Sequence, residues 1–456
     1  MIPVLVIAWH AVLADSSILT FAEFQRRVAS AHPVVRQARL LDSLTAGRER
    51  MARGAFDPRV STQWDRKRFA GKTYFDYLDA ELSVPTAIGA DVTLGFERTR
   101  GALAAPDRAT PATGLFTVGV SLPIGQRLVT DERRVALAQA RALREVAAGE
   151  RDAMVNKLLA MSAAAYADWY EAQQRHRLAT EGVRLAVIRM DAVRARARQG
   201  DAAAIDTIEV GLEVGRRQLV LREADLALRN ASMVVQGMLW DERGRPVDLP
   251  ANMRAVVSDP DEMLGQTLDA PRLVEAARRH PEVRKAMAKV REEAAARRLV
   301  LQRSVIPDIK GTVAALGSRG GGLDLDAADA KVGASASIPL LWRRERGALD
   351  ASTARLAQLT TEEALTRRGV DVALDVALNE WRAIEDLLAL QDEVVASARQ
   401  LQEGENRKFE AGESTVFLVN ARERLVLDEE AKRISLEAKR FAALGKLGVA
   451  LGGRAP

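Results

Sequence analysis

Residues equipped for chemistry are scarce in this sequence, and those present are not spaced for it. With no cysteine among 456 residues, thiol catalysis, disulfides, cysteine-ligated zinc and a lipid anchor on an N-terminal cysteine are all excluded. His32 and His280 stand in matching His-Pro-x-Val-Arg contexts, where they read as loop or cap residues rather than metal ligands. The acidic pairs Asp428-Glu429 and Glu362-Glu363 lie in helical patterns as ordinary surface charges. No phosphate-cradling glycine loop, nucleophile elbow or metal-ligand spacing occurs. No catalytic residue, metal or cofactor is expected. The 67 basic and 62 acidic residues nearly cancel, and the arginines are scattered among glutamates along helices rather than clustered with aromatics. That pattern describes solvated helix faces and not a nucleic-acid surface.

What the sequence specifies is helices and their reversals. From Lys408 to Leu447 one helix arrives at Phe409, breaks at Gly412, and restarts with Ser414 or Thr415 as N-cap, whose hydroxyl can take up free first-turn amides. Beyond the break, Leu427, Ala431, Ile434, Ala438, Phe441 and Leu444 recur at steps of three and four, a packed helical seam. About 210 residues earlier, Arg198-Gln199-Gly200-Asp201 ends one helix and Ile205 begins the next. There Ile205, Leu212, Leu219, Leu226, Met233 and Trp240 form a ladder of sevens, and Val214, Leu221, Leu228 and Val235 form a second. The ladders are two residues out of phase, so at about 100° per residue they lie on nearly opposite sides of one helix. Such a helix is built to pack between two neighbours.

The chain contains two copies of one unit. His32-Pro33-Val34-Val35-Arg36 recurs as His280-Pro281-Glu282-Val283-Arg284, and each opens a helix that closes near a proline, Pro58 or Pro307. A β-like region follows each, ending Ser121-Leu122-Pro123-Ile124 in the first copy and Ser337-Ile338-Pro339-Leu340 in the second. Next come helical stretches of 73 residues (127–199) and 69 residues (343–411), each about 100 Å long if unbroken. The organisation expected is a first repeat over 15–240, a Pro-, Asp- and Gly-rich linker over 241–270, a second repeat over 271–450 and a tail over 451–456. The apolar run Ile2 to Leu13 is too short to span a bilayer. It ends in small residues suited to cleavage after Ala14, so 1–14 reads as a secretory signal, although it lacks a positive n-region; a disordered leader is the alternative.

The β-like regions alternate apolar and polar. In 89–100, Ala90, Val92, Leu94 and Phe96 alternate with Asp91, Thr93, Gly95 and Glu97, and 114–123 and 329–338 repeat the pattern. Strands of about ten residues with one apolar face fit a membrane barrel with a wet lumen. An antiparallel sheet lying on a soluble core shows the same alternation. Everything else in the chain is long helix, with no globular core to receive such a sheet, and this favours the barrel.

In this order of elements the chain resembles the TolC-type outer-membrane efflux protein family over nearly its whole length, from about Leu19 to Gly448. The resemblance rests on the duplicated helix, strand hairpin, long helix, glycine turn and helix. It is carried by the His-Pro-x-Val-Arg openings, the Ser-Leu-Pro and Ser-Ile-Pro strand exits, and the Gly200 and Gly412 turns. It implies a mainly α fold with a membrane β-barrel portion: a homotrimer in which three chains complete one barrel in outer-membrane lipid and one α-helical tunnel through the periplasm. It further implies a passive exit duct of a tripartite efflux or type I secretion system. Such a duct is linked by a periplasmic adaptor, or membrane fusion protein, to an inner-membrane pump of RND or ABC type. By the same resemblance the adaptor would meet the turns at Arg198, Gln199, Gly200 and Asp201 and at Lys408, Gly412, Glu413, Ser414 and Thr415.

Three departures from the family pattern stand out. Both openings carry His where the family usually has Asn before the first proline. Family members often narrow the tunnel with aspartates six and nine residues past the second glycine, where this chain has Leu418 and Ala421; the matching first-copy positions are Asp206 and Glu209. An apolar constriction at Leu418 with acidic groups from Asp206 is therefore expected, and core packing is the alternative for Leu418. Finally, the family norm is two strands per copy, whereas Arg59–Phe69 and 77–84 add an alternating pair to the first copy, leaving four or six strands per chain. A soluble periplasmic coiled-coil scaffold is the competing reading; it accounts for the heptads but not for the leader or the amphipathic strands.

Overall fold

A computed structural model describes residues 18–127, 129–201, 203–256, 275–318 and 329–453. The signal expected at 1–14 lies outside them. The chain forms two compact units, each drawing on both repeats: one takes 1–40, 150–283 and 367–456, the other 41–149 and 284–366.

The first unit is helical. Strand β1 (Ile18–Thr20) leads into α1 (Phe21–Ala31), where the Thr20 hydroxyl caps the Glu23 amide at 3.2 Å. On α1, Phe21, Phe24, Val28 and Ala31 recur at steps of three and four, and all four are buried. Their partners are Tyr166 and Trp169 on the long helix α3 (Glu132–Gln199) and Phe441 and Leu447 on the last helix. Helix α4 (Ala204–Met238) follows the first glycine turn. The chain then continues through 241–256 to β6 (Arg254–Val256), which pairs in parallel with β1. The Tyr166 hydroxyl lies between these strands, 2.6 Å from the Leu19 carbonyl, and accepts from the Val256 amide at 3.0 Å. Gln173 brackets the same strand, donating to Met253 O and accepting from Ala255 N, both at 2.9 Å. The described part of the stretch expected as a linker is thus pinned to the helical core.

The second unit carries the sheet. Helix α2 (Pro33–Arg53) runs into β2 (Arg59–Phe69), β3 (Lys72–Pro85), β4 (Asp91–Arg100) and β5 (Leu115–Pro123). The second repeat supplies α5 (Pro281–Val305), β7 (Asp308–Ser318) and β8 (Ala330–Ser337). All neighbours are antiparallel in the order β2-β3-β4-β5-β7-β8. The choice left open by the sequence falls on six strands, because β2 and β3 form a full hairpin. Its two-residue turn has φ of +49° at Ala70 and +73° at Gly71, the primed geometry that matches strand twist.

The sheet is two-faced. One face presents Val84, Val92, Val120, Val313 and Val332 in a single cross-strand row, and beside it Leu82, Leu94 and Val118. Val120, Val313 and Val332 are exposed. The opposite face presents Glu81, Gly95 and Thr117, then Ser83, Thr93, Gly119 and Ala314. From the sheet the chain enters helix α6 (Arg343–Glu410), which returns to the first unit, turns at Gly412 and ends in α7 (Val416–Ala450). Among the described residues no helix is long and apolar enough to cross a membrane.

Candidate functional site

Both glycine turns have the same construction. At the first, φ of Gly200 is +85°, its amide donates to Ala197 O at 3.2 Å, and the Asp201 amide reaches Arg196 O at 2.9 Å. At the second, φ of Gly412 is +81°, with Gly412 N to Phe409 O at 3.1 Å and Glu413 N to Lys408 O at 2.8 Å. This paired bonding across a left-handed residue closes a helix by satisfying its last carbonyls. A Cβ at either glycine would meet nothing within 4 Å, so backbone conformation and not space demands glycine here.

After the second turn Thr415, one of the two expected caps, accepts from Leu418 N at 3.4 Å. Ser414 instead donates to Glu405 at 2.5 Å and, as the largest of several causes, holds that carboxyl below its usual range. After the first turn the cap position is Ala203, with no side-chain bond. Just inside the turns Val193 (α3), Val210 (α4) and Val416 (α7) form a small core with Phe409, and the Arg196 guanidinium lies 5.5 Å over the Phe409 ring. The four helices are joined here, so the two turns lie together.

Arg198, Gln199, Gly200, Asp201, Lys408, Gly412, Glu413 and Thr415 are exposed, and Ser414 is half-buried. Leu418 is 40% exposed and neighbouring Phe417 57% exposed, so Leu418 is not core within this chain. Ala421, Asp206 and Glu209 are half-buried.

One turn further on is a cluster that sequence reasoning missed. Arg217 on α4 donates to Glu423 on α7 at 2.6 Å, to Glu213 at 3.0 Å and to the Gly182 carbonyl of α3 at 2.9 Å. Arg189 of α3 bonds Asn420 at 2.8 Å and also Glu423, and Arg424 approaches Glu213 at 3.6 Å. Asn420, Glu423, Glu213 and Arg217 are all buried. The signal was available: Val210, Val214, Arg217 and Leu221 step by four, three and four, so Arg217 occupies a seam position. The cluster fixes α7, which carries Leu418, against α3 and α4.

The two ladders of α4 have different fates. Val214 and Val235 are buried within the chain. Ile205, Leu212, Leu219, Leu226 and Met233 are each more than half exposed, an apolar seam with no partner among the described residues. Helix α6 has the same character: Val370, Leu374, Ala377, Trp381 and Ile384 are buried, while Val372, Val376, Leu387, Leu390, Val394 and Leu401 are exposed. No cluster of three metal-ligating side chains occurs among the described residues.

His32 and His280 have a structural role in the first unit. Each ring Nδ1 accepts the amide two residues on, Val34 or Glu282, at 3.2 Å, across the proline that begins the helix. They act as N-caps, each offering an acceptor to an orphan first-turn amide, the role in which Asn also serves. At His280 the other nitrogen faces Val449 O at 3.1 Å, fixing a neutral ring with its proton on Nε2. Burial pushes the pKa of both rings down.

The fold is that of outer-membrane channel proteins. The chain matches CusC at TM-score 0.68 and 14% identity, over 95% of this chain and 92% of that one. It matches VceC of Vibrio cholerae at 0.66 and 14%, over 95% and 96%. It matches the open state of the MtrE outer-membrane channel of Neisseria gonorrhoeae at 0.66 and 16%, over 95% and 89%. No curated protein matches the sequence. Residues 273–453, essentially the second repeat, match the family model described as outer membrane efflux protein.

Proposed function

We propose that the chain is the passive exit duct of a tripartite efflux or type I secretion system. Three copies complete a barrel in the outer membrane and a helical tunnel in the periplasm. The tunnel meets a periplasmic adaptor at Arg198 to Asp201 and Lys408 to Thr415, and an RND or ABC pump supplies the cargo. Leu418, with Ala421 behind it, forms an apolar constriction, and Asp206 and Glu209 supply negative charge beside it.

One observation carries this reading: the exposed Ile205–Met233 seam of α4 and the exposed Val372–Leu401 seam of α6. Each apolar side chain moved out of water contributes about 1.5–3 kcal/mol when fully buried, so two such seams drive association between copies. The coiled-coil scaffold reading shares those seams but gives no reason for a sheet with an exposed valine row. Fractionation separates the two. A duct is recovered in outer membranes, released only by detergent, and conducts in planar bilayers. Recovery in the soluble periplasmic fraction would favour the scaffold.

A further inference from the structure

The extra hairpin continues the apolar face of the sheet to its edge. Residues paired in register form one unbroken row, Val60, Leu82, Leu94, Val118, Ala315 and Ala330, through all six strands from β2 to β8. The next outward row runs Thr62, Ala80, Phe96 and Phe116, and Trp64 lies one step beyond on β2. The inward row Arg59, Ser83, Thr93, Gly119, Ala314 and Lys331 is polar or small throughout. The hairpin therefore has its apolar side at the same height and on the same face as the four strands that the family norm would use.

Where the apolar row ends, each edge carries one charge, Arg59 beside Val60 and Lys331 beside Ala330, and both lie on the inward face. On β2 the remaining charges Asp65, Arg66, Lys67 and Arg68 and the bulge between Lys67 and Arg68 lie at the hairpin tip, away from Val60. Strand β8 has one lysine and no proline. Soluble proteins blunt such edges, and in lipid an unpaired edge leaves costly amides and carbonyls without partners. With six alternating strands, β2 and β8 run in opposite directions. The β8 edge of one copy can therefore pair antiparallel with the β2 edge of another, and repeating that head-to-tail contact closes a ring.

We propose that three copies, on the trimer reading above, close an eighteen-stranded barrel through β8–β2 pairing, and not the twelve-stranded one. At about 4.8 Å between strands, its circumference is about half as large again.

The native absence of cysteine makes cross-linking clean. Double variants placing Cys at Val60 or Thr62 together with Val332 or Ala334 should give, on mild oxidation of outer membranes, a ladder of covalent dimer and trimer. Pairs joining Leu94 or Phe96 to the same β8 positions should give none. A ladder from the β4–β8 pairs, or β2–β8 links confined to single chains, overturns the proposal. A single-particle map of the unmodified detergent-purified trimer decides independently of register: eighteen strands are expected, and twelve in an intact trimer overturn the barrel while leaving the duct. A folded monomer would instead sink the duct reading itself.

Discussion

Arg217 and Glu423, 206 residues apart in sequence, meet at 2.6 Å with both side chains buried. Removing one partner of such a pair leaves an uncompensated buried charge, at a cost of about 3–5 kcal/mol. Glu423→Gln removes the carboxylate that Arg217 and Arg189 share and leaves Glu213 as the one buried carboxylate on Arg217, so it should lower the denaturation midpoint of the helical unit. Arg217→Lys should also be costly, because an ammonium cannot match the planar fork that reaches Glu423, Glu213 and the Gly182 carbonyl. Denaturant titration followed by circular dichroism reads both. A shift no larger than that of an exposed pair such as Arg229–Asp225 would show that the cluster is not a tie between helices.

The glycine turns make a prediction about conformation without sterics. Space is open around Gly412, so Gly412→Asn should be mild, because Asn tolerates a left-handed backbone. Gly412→Val should cost more than the roughly 1–2 kcal/mol of an ordinary L-residue there and distort the turn. Adaptor binding should fall for Val and persist for Asn, with outer-membrane insertion intact in both. Equal loss with both variants would mean that the turn needs a bare backbone for contact rather than for φ.

The histidine caps make stability pH-dependent. Each cap requires an unprotonated Nδ1, and both pKa values are held below the unfolded value of 6.5. A depressed histidine pKa stabilises the fold fully above 6.5, and that stabilisation is lost as pH falls through the lowered folded values. Replacing both with Asn keeps an acceptor that does not titrate. The melting temperature of H32N/H280N should therefore fall less between pH 7.5 and 5 than that of the parent. Parallel profiles would show that the histidines do not act as caps.

At the proposed constriction, Leu418→Ala removes apolar area that three copies would bury together, up to about 1.5–3 kcal/mol per side chain. It should raise the resting conductance of trimers in planar bilayers. Asp206→Asn should lower cation preference with little change in closure. If the Asp206 variant opens the duct and the Leu418 variant does not, the constriction is polar.

The sequence carried the fold where periodicity is unambiguous. The helix ends at Gln199 and Glu410, the strand Arg59–Phe69 and the turn glycines Gly200 and Gly412 were all legible in spacing and punctuation. The β2–β3 turn was not, because Ala70 sits where Asn or Gly is the usual signal. Strand count stayed open for the same reason. The pairing of β1 with β6 rests on two three-residue strands whose register is set by Tyr166 and Gln173, side chains far away in sequence. Arg217 falls among the helix charges because the ladders in sevens on α4 skip its position, and Glu423 because the α7 seam is plain only from Leu427 onward; the step Val210, Val214, Arg217, Leu221 puts Arg217 in a seam. The opposed ladders of α4 were plain, but which one faces outward depends on tertiary packing, and the structure assigns the outward role to Ile205 through Met233.

The central claim is that a single chain is one part of a wall that needs its copies. Sedimentation of the detergent-solubilised protein tests it most directly, with the parent compared against a variant in which Leu212, Leu219 and Leu226 are replaced by Ser. The parent should sediment as a trimer, and the variant, which keeps the buried Val214–Val235 seam, should dissociate to folded monomers. A parent that is a stable, folded monomer, or a variant that remains trimeric, would contradict the account.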